Sequence, residues 1–95
     1  MTLEELKTEL EKIISELTLS GFDKIDPEII EKLDKLLVAS GELNMKEGKR
    51  LIENLSSVMK AIQKGKSKAG SGNLRLTALD FYVKKLSVGE NIEDL

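Results

Sequence analysis

Apolar residues recur along most of the chain at the spacing of amphipathic helices. Leu3, Leu6, Leu10, Ile13 and Leu17 follow one another at intervals of 3, 4, 3 and 4. That spacing predicts a helix over about 3–18 with one apolar face. It is heptad spacing, but too short for a free coiled coil, so a bundle helix is expected. Thr2 and Glu5 supply a capping box at its start, and Ser20-Gly21 ends the segment. A second helix, about 27–39, has Asp26 as cap and Pro27 at the first position, where a missing amide hydrogen costs nothing. Ile29, Ile30, Leu33, Leu36 and Leu37 form its buried face, Ile25 and Ile30 flank the cap as a hydrophobic staple, and Ser40-Gly41 closes it.

The longest amphipathic run lies over about 45–64, introduced by Asn44 as cap with Glu47 three residues on. Met45, Gly48, Leu51, Ile52, Leu55, Val58, Met59 and Ile62 share an arc of roughly 140°. Gly65–Asn73 carries three glycines and almost no apolar anchor, and reads as a mobile loop. A last helix is expected over about 74–87. Its core face holds Leu76, Leu79, Tyr82, Val83 and Leu86, but Leu74, Ala78, Phe81 and Val88 fall on the far side. Either this helix is sandwiched or covered on its back, or Leu74, Phe81 and Val88 form an exposed partner face. The pattern as a whole predicts an all-α, mostly antiparallel bundle of four helices over 1–89, with 90–95 as a short, flexible, dispensable acidic tail.

Composition narrows the chemistry. With 95 residues there is room for one modest core, and with three aromatic residues (Phe22, Phe81, Tyr82) aliphatic side chains must fill it. The chain contains no cysteine and no histidine. Disulfides, thiolate nucleophiles, the commonest general base and the commonest metal ligand are thereby removed. The glutamates and aspartates of the first two helices lie on polar faces among lysines, where a solvated surface explains them better than acid–base catalysis. Gly65-Lys66-Ser67 lacks the upstream glycine and preceding strand of a phosphate-binding loop, and the Asp23–Glu28 stretch lacks the ligand positions of a calcium loop. No enzyme activity, cofactor or metal is expected. The first residues, MTLEELKTELEK, are acidic and amphipathic, unlike a cleaved signal, and no apolar run is long enough to span a bilayer. A cytoplasmic protein is expected.

The net charge of −2 hides a polarity. Residues 1–45 carry eleven acids and five bases (−6), 46–85 three acids and ten bases (+7), and 86–95 three acids and no base (−3). Lys46, Lys49, Arg50, Lys60 and Lys64, continued by Lys66, Lys68 and Arg75, make a basic stripe interrupted by Glu53. Three readings of it stand: pairing with the acidic half of the same molecule, docking of an acidic protein, or binding of nucleic acid or anionic lipid. Aromatic side chains for base stacking do not interleave it, which disfavours nucleic acid.

Ala61-Ile62-Gln63-Lys64-Gly65-Lys66-Ser67 is similar to the His-x-x-Lys-Gly-Ser segment of histidine phosphotransfer domains, which are also four-helix bundles. Lys64, Gly65 and, one position displaced, Ser67 match, and Ala61 stands at the phosphoacceptor position, so the resemblance implies at most a relative unable to transfer phosphate. Taken together, these features favour a small non-catalytic module that binds a protein partner or a second copy through a helix face. A nucleic-acid-binding protein is the alternative, and a silent phosphotransfer relative the third.

Overall fold

The structure is a computed structural model and describes residues 1–90 together with Glu93. It holds four helices: α1 (Leu3–Ser20), α2 (Pro27–Glu42), α3 (Lys46–Gln63) and α4 (Ala69–Ser87). Each packs on its sequence neighbour, and α4 closes the ring against α1, whereas the diagonal pairs do not approach. The result is a two-by-two antiparallel bundle of 36 × 22 × 21 Å, the cross-section expected for helices packed about 8–10 Å apart. No helix among the described residues is long and apolar enough to cross a membrane.

The first two helix starts follow directly from local chemistry. Thr2 Oγ1 accepts the Glu5 amide and the Glu5 carboxylate accepts the Thr2 amide, each at 3.1 Å, and these bonds hold the Glu5 carboxyl below its ordinary range. The Asp26 carboxylate accepts the Glu28 amide at 2.9 Å. The core consists of the expected inward faces, with Leu6, Leu10, Leu33, Ile52, Leu55, Met59 and Leu79 wholly buried. Between α2 and α3, buried Ser56 donates to Asp34 at 2.8 Å and Lys60 pairs with the same carboxylate at 3.2 Å.

Several boundaries differ from the sequence expectation, for identifiable reasons. Ser40-Gly41 does not close α2, which continues to Glu42. Asn44 does not cap α3. It adopts a left-handed conformation, φ 58°, and ends α2, with the Met45 amide donating to the Ser40 carbonyl and the Asn44 amide to that of Gly41. These are the two bonds of a Schellman motif. Gly65, φ 74°, ends α3 in the same way, with Lys66 donating to Ala61 and Gly65 to Ile62. Lys64 and Gly65, the residues shared with phosphotransfer domains, are thus the cap and reversal of a helix end.

The largest correction is at α4. The expected loop Gly65–Asn73 is helical from Ala69 onward, which leaves Lys64–Lys68 as the connection. Glycine weakens a helix interior by about 1 kcal/mol relative to alanine, so the local sequence argues against this extra turn. Packing decides otherwise. Phe22, in the connection between α1 and α2, is 1% exposed and lies directly on Gly72. A β-carbon at Gly72 would stand 2.6 Å from the Phe22 ring, so the bare backbone makes the seat for the ring.

Candidate functional site

The outer side of α4 retains the apolar residues that the core does not use. Leu74, Phe81 and Val88 are 66%, 63% and 73% exposed, so the back of α4 is covered by neither another helix nor a loop among the described residues. Leu74, Ala78 and Phe81 run along one side of the helix and, with Leu51 of α3, line a groove of about 490 Å³ between α3 and α4. Val88 does not join them. It is the C-cap of α4, one turn beyond the groove.

Charges border this apolar strip. Lys85, four residues after Phe81, holds its ammonium 5.0 Å from the centre of the Phe81 ring, a cation–π arrangement. Arg50 of α3 lies on the opposite border, its Nε donating to Glu47 at 3.0 Å. The guanidinium holds the Glu47 carboxyl below its ordinary range. Of the expected basic stripe, all eight residues are exposed. Arg50 pairs with Glu47 and Lys60 with Asp34, whereas Lys46, Lys49, Lys64, Lys66, Lys68 and Arg75 form no ion pair with another described residue. Lys60–Asp34 is the one ion pair between helices among the described residues, so the acidic and basic halves are hardly joined by direct pairs. The stripe is also divided, since Arg50 borders the groove while Lys60 faces α2.

One end of the groove is built by a contact that periodicity does not reveal. Met45 gives α3 no side-chain cap. Instead, the Glu93 carboxylate accepts the Glu47 amide at 2.7 Å and the Gly48 amide at 3.0 Å, and the Tyr82 hydroxyl donates to the same carboxylate. Negative charge is favoured at this position by the free amides and the helix dipole. Gly48 allows it: a β-carbon there would lie 2.7 Å from the Tyr82 oxygen. Burial, the bond to Glu93 and its charge all raise the Tyr82 pKa, so the hydroxyl remains a donor at neutral pH. The expected tail 90–95 falls mostly outside the described residues. Of its members that are described, Glu90 pairs with Lys85 at 3.2 Å and Glu93 makes the cap.

Sequence reasoning found Leu74 and Phe81 but not Lys85, Glu47 or Glu93. The spacing from Phe81 to Lys85 was an available signal, because residues four apart share a helix face. For Glu93 the only hint was that a buried tyrosine needs a hydrogen-bond partner. Among the described residues no cluster of acidic side chains is arranged to hold a metal ion. No protein-family model, curated protein or solved structure matches the chain, so any role must be argued from the groove itself.

Proposed function

We propose that this chain is a small, non-catalytic protein-interaction module of the cytoplasm that docks on a partner through the α3–α4 groove. The observation that supports this reading is the placement of Phe81. Of the three aromatic residues, Phe22 and Tyr82 are 1% and 2% exposed, whereas Phe81 stands 63% exposed with Leu74 beside it. Burying a phenylalanine is worth about 1.5–3 kcal/mol, much of which the isolated bundle forgoes at this position. A large aromatic in an apolar groove with a charged border is the usual anchor of a protein interface.

Phe81→Ser tests the reading. The variant should fold and melt like the wild type, because the side chain is mostly outside the core. Partners should be captured by the wild-type chain, should rebind it as purified proteins, and should be lost with Phe81→Ser. Capture that is unchanged in the variant would overturn the reading. So would a chain whose main ligand is random duplex DNA or RNA, bound with a steep salt dependence through Lys46, Lys49 and Arg75.

A further inference from the structure

We infer that the start of α3 and the Tyr82 hydroxyl together form a carboxylate-binding site, which Glu93 fills from within the chain and which accepts an external carboxylate when Glu93 is absent. This site stands whether or not the α3–α4 groove holds a partner.

Three donors from two helices converge on one point. The Glu47 amide donates to one oxygen of Glu93 at 2.7 Å, the Gly48 amide to the other at 3.0 Å, and the Tyr82 hydroxyl to that second oxygen as well. First-turn amides by themselves mark only a helix end. Here a tyrosine of α4 that is 2% exposed is aimed at the same place, and a carboxylate is seated between the two helices. Tyr82 can approach because Gly48 lacks a β-carbon, which would lie 2.7 Å from the phenol oxygen.

Capping alone would need none of this. A Ser, Thr, Asp or Asn at position 45 would supply an acceptor locally, as Thr2 and Asp26 do for α1 and α2. Position 45 is instead Met45, buried in the core, and the acceptor comes from beyond the end of α4. A helix start in this bundle does not require a side-chain cap at all, since α4 begins without one. The glycine in the first turn of α3 weakens that helix further. Met45, Gly48 and Tyr82 thus leave a set of donors that only a group from elsewhere completes.

The donors suit a carboxylate better than other anions. Each oxygen of the planar group receives its own amide, and Glu93 forms no ion pair with another described residue, so one negative charge is met by hydrogen bonds and the helix dipole alone. A phosphate dianion would bring a second charge towards the Glu47 carboxylate, whose field already reaches Tyr82, with no base in ion-pair contact at the site. A carboxylate tethered a few residues beyond α4 acts at an effective concentration on the order of millimolar. Glu93 therefore keeps weak free acids out, and the site becomes available when that side chain is removed or outcompeted.

The test uses the full chain carrying Glu93→Gly, which removes the internal ligand and leaves the donors in place. At neutral pH, titration with sodium acetate should move the Glu47 and Gly48 amide resonances along a saturable curve and restore part of the melting temperature lost with Glu93. Sodium chloride and sodium phosphate at equal ionic strength should do neither. Adding Tyr82→Phe should weaken acetate roughly fivefold, the effect of one hydrogen bond. Glu93→Gln, which fills the site with an uncharged amide, should bind acetate more weakly than Glu93→Gly, and the wild type should show no such shifts. The hexapeptide ENIEDL, the sequence of residues 90–95, is titrated beside acetate. Shifts at a lower concentration than acetate would identify a polypeptide as the source of the carboxylate, and shifts at an equal or higher one a small free acid. No shift in Glu93→Gly, shifts that follow ionic strength alike for all three salts, or equal shifts in Glu93→Gly, Glu93→Gln and the wild type would each overturn the inference.

Discussion

Removing the Glu93 carboxylate should destabilise the bundle from a site 46 residues away in sequence from the Glu47 amide it caps. In Glu93→Ala the Glu47 and Gly48 amides lose acceptors at 2.7 and 3.0 Å, and α3 has no side-chain cap to replace them. Loss of a helix N-cap costs about 0.5–2 kcal/mol. The Tyr82 hydroxyl also loses its acceptor. A buried hydroxyl left without one costs about 1–3 kcal/mol, but water reaches the hydroxyl once the carboxylate leaves, so only the lower part of that range applies. Releasing Glu93 returns backbone entropy of roughly 1–2 kcal/mol, which offsets part of both losses. The net expectation is a destabilisation of about 1 kcal/mol, a fall in melting temperature of roughly 4–8 °C for a domain of this size. Glu93→Gln, which keeps an acceptor and removes the charge, should cost only about 0.3–1 kcal/mol, the helix-dipole part. Urea denaturation reads the stability, and amide exchange at Glu47 and Gly48 reads the cap. Those two amides should exchange faster in Glu93→Ala while mid-helix amides such as Leu55 slow or quicken only with global stability. If midpoint and exchange are both unchanged, water satisfies the α3 terminus and the capping argument is wrong. The sequence alone suggested the opposite outcome, that truncation after Gly89 costs little.

Two glycines two positions apart but in opposite environments should respond to alanine in opposite directions. Gly70, with open space around its missing β-carbon, sits in the same first turns of α4 as Gly72, whose β-carbon would meet the Phe22 ring. Gly70→Ala should therefore stabilise by up to about 1 kcal/mol, and Gly72→Ala should destabilise by about 1–3 kcal/mol, as chemical denaturation will show. Equal effects would refute the seating of Phe22 on bare backbone. A third expectation concerns alkaline pH. The folded state raises the Tyr82 pKa above its ordinary 10.0, chiefly by burial. Its contribution is fully present below about pH 10 and declines as pH rises beyond it, at up to about 1.4 kcal/mol per pH unit, because only the unfolded chain ionises there. Tyr82→Phe should flatten that part of the stability profile relative to the wild type, and an unaltered slope would refute it.

Local chemistry determined much of this protein from the sequence by itself. The capping box at Thr2 and Glu5, the Asp26-Pro27 start and the apolar faces of α1 to α3 depend on residues three or four apart, which a helix brings together whatever the rest of the chain does. The core face of α4 was legible for the same reason, and Leu76, Leu79, Tyr82 and Val83 are all buried. Features that depend on distant residues were not legible. The first turns of α4 form because Phe22, some fifty residues earlier in the chain, packs on Gly72, against the local preference of a glycine-rich stretch. The start of α3 is capped from Glu93, while the neighbour that looked like its cap, Asn44, is spent on ending α2. Periodicity placed Leu74 and Phe81 opposite the α4 core face, but two apolar sides suit a sandwiched helix and an exposed anchor equally. Only the closing of the ring, with α4 between α1 and α3 and nothing described beyond it, puts Phe81 in solvent, because burial is a property of what packs against a face and not of the face itself.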